Sequence, residues 1–434
     1  MINIKNIGNL GFARVVLQSS FLVFLVRAFA AVLVFGLHVY LARSLGVSEY
    51  GQFVFYFQLI FIAATVLPFG MDHAIVRFLP AYREKSEKQS EISIVSFGVL
   101  LTGLVFVLLV GLTIAAYFIF QDSLKIEFLF VGLLIVFVLA SVQVFTSVLR
   151  SYRAYFKAQV PPELMYPFLF LTSAFLLWQV FVVQATAISA LVCLLIAATI
   201  SLSTLVYLAR GYLPPLKSLK FEGKTWMAVS IPLMAGALVL DLEDRLNIII
   251  LDWLLTSSDV GIYSTSNRIG GLSLFLNTAF IFVLGPIISA NWFGGERHRV
   301  FQAYWLVGVC NCAFAWVIVS AIYFFGDQIL AIFGPEFAAG RDAALIFSTF
   351  LALSTMAGPV GVLLNMTGHQ NILLILIGSA AVLSCTLCYL LVPHLGFEAA
   401  AWASGISHLF WRYCAAVYAY FKLVRPTRLA GSTG

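Results

Sequence analysis

Residues 41–53 read LARSLGVSEYGQF, and residues 251–263 read LDWLLTSSDVGIY. Leu41, Leu45, Ser48, Glu49, Gly51 and Phe53 fall on Leu251, Leu255, Ser258, Asp259, Gly261 and Tyr263 at a constant offset of 210 residues. Ser20 and Ser230 keep the same offset upstream. The repeat is thus about half of a 434-residue chain, and each half holds six long apolar runs. If each run crosses a membrane, an even number returns the chain to its starting side. The halves are then parallel repeats about an axis along the membrane normal, a frame for alternating access. In each copy an acid precedes Gly by two, and a tight turn needing Gly51 or Gly261 is the expected role.

Composition supports the crossing. The chain is 62% hydrophobic and 10% charged, with a mean hydropathy of +1.01. Soluble domains carry about 25% charged residues. Helical spans are predicted at 17–42, 52–74, 92–120, 126–149, 164–184, 187–209, 227–251, 262–288, 301–325, 342–365, 371–392 and 398–421. The runs are continuous rather than alternating, which excludes a barrel. The expected fold is an all-α polytopic membrane protein of about twelve transmembrane helices. It divides into an N-terminal lobe (1–210), a linker (211–224, with Pro214-Pro215) and a C-terminal lobe (225–434). The first run is too long for a signal-peptide core and lacks a small-residue cleavage site, so it is read as a retained helix.

The net charge of +6 follows from where the cations sit, and is no nucleic-acid signal. One set of loops holds eighteen Lys and Arg, among them Lys5, Arg83, Arg150, Arg153, Lys157, Arg210, Lys224 and Lys422; the other holds Arg43, Lys125 and Arg341. This bias places both termini in the cytoplasm, and a basic inner face would also attract anionic lipid. The six cysteines all fall inside predicted spans without His or carboxylate nearby, so apolar packing rather than metal binding is expected.

The run 227–251, MAVSIPLMAGALVLDLEDRLNIIIL, places Asp241, Glu243, Asp244 and Arg245 near the middle of a span. One charge at that depth costs about 2.5–3.5 kcal/mol, and four facing lipid would cost on the order of 10 kcal/mol. They must face protein or a wet cavity. Asp241, Asp244 and Arg245 share a helix face, and Asp241 can pair with Arg245.

The first turn, LARSLGVSEYGQF, resembles the signature of the polysaccharide biosynthesis proteins, the O-antigen and exopolysaccharide flippases. Their superfamily also holds the multidrug and toxin extrusion (MATE) transporters and the peptidoglycan-precursor flippases. Residues 70–78 (GMDHAIVRF), 149–159 (LRSYRAYFKAQ), Asp244-Arg245 with 261–269 (GIYSTSNRI), 332–337 (IFGPEF) and 358–370 (GPVGVLLNMTGHQ) resemble further family stretches. The resemblance implies a MATE-like fold, two six-helix lobes around a central cavity. It implies movement of a polyprenyl-pyrophosphate-linked oligosaccharide from the inner to the outer leaflet of the cell (inner) membrane. Membrane lipid is then a partner, and a polysaccharide polymerase and assembly proteins are candidate partners.

Such a cargo needs cations for its pyrophosphate, and Arg binds phosphate oxygens in pairs while staying charged. Arg27, Arg245, Arg268 and Arg412 lie within predicted spans and are the substrate-binding candidates. Arg27 resembles the first-helix arginines of peptidoglycan-precursor flippases in placement only. The alternatives are a structural pair between Arg27 and a carboxylate such as Asp241, and snorkelling of Arg412 toward inner headgroups. Asp241, Glu243 and Asp244 outnumber their one base, which suits ion coupling with H+ or Na+ or, equally, interlobe pairing. Asp72, His73 and Arg77 end the second predicted span, where a solvated or gating ion pair is expected. His38 and His408 are read as packed polar residues.

Two other classes compete. An ion-coupled exporter of cationic drugs would share the fold but favour an acidic cavity. A membrane enzyme needs a catalytic group on a sizeable loop, and no long loop is predicted, so no enzymatic activity, metal or cofactor is expected.

Overall fold

The computed structural model describes residues 9–119, 126–213 and 219–424, and the side chains of 9–28, 116, 119, 240, 241, 243, 244, 278, 279, 281–283, 286 and 424 lie outside that description. The described elements are helical: α1 Asn9–Val66, α2 Met71–Glu84, α3 Lys88–Ile119, α4 Ile126–Ser151, α5 Tyr155–Val160, α6 Tyr166–Phe175, α7 Ala187–Arg210, α8 Gly223–Leu254, α9 Ser257–Gly271, α10 Phe275–Phe293, α11 Arg297–Ala331, α12 Arg341–Thr355, α13 Val360–Met366, α14 Gln370–Leu395 and α15 Glu398–Ala419. Every one of the twelve predicted spans is largely helical over its described residues. Among the described residues, eight segments are long and apolar enough to cross a bilayer, the bent stretch Phe29–Glu84 counting once. The outer face of α3 exposes Leu100, Leu104, Val107, Leu108 and Leu112, a stripe suited to acyl chains and not to water.

α1 runs for 58 residues because its bend costs little. Gly46 turns the chain at φ 73 and ψ 174, a conformation open to a residue without Cβ. In the second repeat the break between α8 and α9 includes Thr256, which stands 210 residues after Gly46. The expected turn role of Gly51 and Gly261 is therefore corrected: both lie inside helices and are buried. Repeat-related residues share burial, with Leu41, Leu251, Phe53 and Tyr263 all sealed from solvent. The paired acids cap helices. Glu49 Oε2 accepts the Ala187 amide at the start of α7 (2.7 Å). Asp259 Oδ2 accepts the Thr256 amide (3.1 Å) and hydroxyl (2.6 Å) at the start of α9. A carboxylate at a helix N-terminus satisfies donors that the helix cannot.

Three predicted spans are interrupted. The span 52–74 stops at Val66 and resumes as α2; 262–288 changes pitch at Leu272–Leu274; 342–365 breaks between Thr355 and Val360. Gly and Pro cause the first and third, at Pro68 and Gly70 and at Gly358-Pro359. At Gly70 the backbone turns at φ 73, and a Cβ would lie 2.2 Å from the Ser230 carbonyl oxygen on α8. Gly70→Ala combines left-handed strain with a clash against main chain. It should cost about 2 kcal/mol or more, read as a lowered unfolding temperature of the purified protein. An unchanged unfolding temperature would contradict this contact.

By spatial contiguity the chain forms two compact units, Phe29–Leu242 and Met1–Ala28 with Glu243–Gly434. In the first, α4 packs on α2, α3 and α7. Met71, Ile75, Leu79, Ile94, Val148, Leu205 and Trp226 build one core. Trp226 ties the start of α8 into it by donating from Nε1 to the Tyr82 hydroxyl (2.9 Å), and the Lys220 amide donates to Ser93 Oγ (2.8 Å). In the second, α15 packs on α12 and α14, and α12 on α9 and α11.

Candidate functional site

Of the four charges in residues 241–245, only Arg245 has a described side chain, and it is half-buried on α8. Arg27, Asp241, Glu243 and Asp244 are placed on α1 and α8 by their backbone, and their side chains lie outside the described residues. Two residues beyond Arg245, Asn247 is fully buried. Its Nδ2 donates to Ser384 Oγ on α14 (2.8 Å) and to Ser404 Oγ on α15 (2.7 Å). The Tyr263 hydroxyl of α9 lies 3.3 Å from Ser404 Oγ. One amide thus ties the C-terminal half of α8 to α14 and α15 directly, and to α9 through Ser404. Sequence reasoning missed this pin; the signal was an amide inside an apolar run, which needs partners. Asn247→Leu should lower stability by about 1–2 kcal/mol, measured by thermal unfolding. Unaltered unfolding would show that the amide fixes nothing.

α9 begins with its capping box and carries Asn267 and Arg268 near its end. Arg268 Nε is buried and meets no acceptor; the neighbouring Asn267 Oδ1 is buried and meets no donor. A buried N–H that finds no acceptor costs free energy in the resting protein.

Arg412 on α15 is more fully enclosed than the half-buried Arg268. Its side chain is 5% exposed, which rules out snorkelling toward headgroups. The guanidinium lies 5.1 Å from the centre of the Trp411 ring, and its charge bears on Tyr304 of α11. The Tyr304 hydroxyl donates to the Ala357 carbonyl, in the break between α12 and α13. A carbonyl freed inside a membrane must find a donor, and Tyr304 supplies it. His408 is buried on the same helix, with Trp411 Nε1 donating to its Nδ1 (3.4 Å). His38 is buried beside the Tyr50 hydroxyl (3.0 Å). Both histidines are packed polar residues.

Asp72 and Arg77 lie on α2 but make separate contacts. Asp72 Oδ2 is 3.5 Å from His73 Nε2, and Arg150 acts on the same carboxylate electrostatically. Arg77 is exposed, 5.8 Å from the centre of the Phe78 ring.

The model of the family described as polysaccharide biosynthesis protein matches residues 16–292, more than half of the chain. The chain belongs to the polysaccharide biosynthesis protein family. No curated protein sequence matches it. Solved structures match across nearly the full length of this family member. An inward-facing multidrug resistance MATE transporter superposes with a TM-score of 0.76 at 12% identity, covering 93% of this chain and 99% of that one. The lipid II flippase MurJ in an inward closed conformation gives 0.69 at 12% identity, covering 92% and 88%. A transporter of the same superfamily from Pyrococcus furiosus, whose binding pocket is described as of reverse polarity, gives 0.64 at 13% identity, covering 92% and 95%. At such identities the likeness establishes the fold. This polysaccharide biosynthesis protein is a multi-pass membrane protein with the MATE fold.

Proposed function

We propose that the protein flips polyprenyl-pyrophosphate-linked oligosaccharide units across the cytoplasmic membrane by alternating access, for assembly of a surface polysaccharide. The observation that carries this reading is Arg268: a half-buried arginine on α9 whose buried Nε donor no protein group accepts. A phosphate oxygen is the chemistry such a donor favours. Arg27 and Arg245, on the repeat-related helices α1 and α8, are proposed to complete the pyrophosphate site. Asp241, Glu243 and Asp244 are proposed to serve H+ or Na+ coupling or pairing between lobes. In this reading both termini are cytoplasmic, and a polymerase consumes the flipped unit.

The purified chain in vesicles should move a fluorescent polyprenyl-pyrophosphoryl sugar between leaflets, at a rate raised by an imposed proton or sodium gradient. Movement no faster than in protein-free vesicles would sink the proposal. The acids of α8 keep one second reading in play, export of cationic drugs. Uptake of a cationic dye by the same vesicles, without lipid flipping, would select it.

A further inference from the structure

The turn after α4 carries a device that the transport reading leaves unused. α4 ends at Arg150-Ser151, and the chain reverses through Tyr152-Arg153-Ala154 into α5. The Arg153 amide donates to the Arg150 carbonyl (2.9 Å), and the Ala154 amide to Leu149 (3.0 Å). This is a helix C-terminal cap whose turning residue is commonly glycine, yet here it is an arginine at φ 59. A left-handed arginine carries backbone strain that a glycine there would not.

Arg153, Lys157 and Arg210, the last residue of α7, are all exposed. Lys157 Nζ donates to the Tyr212 hydroxyl (3.2 Å) and lies 5.3 Å from that ring's centre. Tyr212 packs against Tyr152, with ring centres 5.4 Å apart, and the Arg83 guanidinium lies 5.3 Å from the Tyr152 ring. Tyr152 is itself anchored, donating to Oε2 of buried Glu91 (3.0 Å). Burial and that carboxylate push its phenol well above the usual range, so it remains a donor. Tyr155 and Phe156 lie between Arg153 and Lys157 in the chain, Tyr207 lies three residues before Arg210, and the three are 56%, 61% and 74% exposed. Residues 149–160 and 205–213 contain no carboxylate. Exposed aromatic rings at the ends of spanning helices sit at headgroup depth. The charge bias assigns this end to the cytoplasmic leaflet, where lipids are anionic.

We propose that Arg153, Lys157 and Arg210 form a binding site for the phosphate headgroup of an anionic phospholipid, with Tyr155, Phe156 and Tyr207 lying against its chains. The general inward bias of basic residues explains how many cations lie here. It does not explain an arginine at a glycine position, nor a lysine held on a stack of rings.

The test is native mass spectrometry of the full-length protein given phosphatidylglycerol or phosphatidylcholine, with thermal unfolding alongside. The wild-type protein should retain phosphatidylglycerol preferentially. Arg153→Gly should be at least as thermally stable, because glycine adopts φ 59 freely. It should also lose about fivefold of the lipid preference, the worth of one cation near a membrane surface. Lys157→Gln should show a similar loss, and it carries the test alone if the first variant does not fold. Equal retention of both lipids by the wild type overturns the proposal, as does an undiminished preference in both variants. Displacement of phosphatidylglycerol by excess inorganic phosphate also overturns it, in favour of a site for a free anion.

Discussion

Arg268→Ala is expected to abolish delivery of surface polysaccharide while leaving the protein about as stable as before. The stability half follows from the buried Nε, which meets no acceptor. That one N–H has lost its water and gained no bond, so deleting it offsets the packing lost with a half-buried side chain. The transport half follows from the proposed phosphate contact. A charge-assisted hydrogen bond is worth about 1.5–3 kcal/mol, so affinity for the lipid-linked substrate should fall roughly ten- to 150-fold. Arg268→Lys should recover part of this, because a point charge attracts phosphate without the planar fork. The measurements are unfolding temperature and vesicle flipping on the same preparations. A large drop in unfolding temperature, with activity lost only in proportion to folded protein, would make Arg268 a structural residue.

The pattern of what was legible follows from the physics. Spans were readable because hydropathy is local, and each of the twelve is largely helical over its described residues. The repeat was readable because related positions do the same burial work, as Leu41 and Leu251 show. The function of its acids was not readable. Glu49 caps a helix 138 residues away while Asp259 caps its own, a difference that exists only in three dimensions. The turn was assigned to Gly51 when Gly46 makes it, because a lone glycine tolerates helix and turn alike. Breaks at Gly70 and Gly358 were absorbed into continuous spans because hydropathy does not register a freed carbonyl. For the charged residues, the sequence showed which cations fall in apolar runs but not how deeply each is enclosed. Arg412 is enclosed and lies against Trp411 while Arg268 is half-buried, a difference within what sequence reasoning placed in one group.

Arg412→Ala is expected to collapse the yield of folded protein, with the activity per folded molecule retained. Its guanidinium is enclosed, stacks on Trp411, and acts on the tyrosine that satisfies the Ala357 carbonyl. Truncation leaves a cavity, removes the cation–ring attraction and withdraws a charge around which neighbouring dipoles are set. Together these should cost about 3 kcal/mol or more, a large share of the stability of a typical domain. Tyr304→Phe isolates one strand of this argument. It keeps the ring and removes the hydroxyl, so it should cost about 1–3 kcal/mol through the orphaned carbonyl alone. Arg412→Lys should rescue little, since an ammonium lacks the flat face that lies against indole. The decisive outcome is the ratio of activity to folded protein. If Arg412→Ala unfolds at the wild-type temperature yet does not flip lipid, the guanidinium belongs with Arg268 in the proposed pyrophosphate site. If yield and activity fall together, Arg412 belongs to the frame that holds α11, α12, α13 and α15 in register.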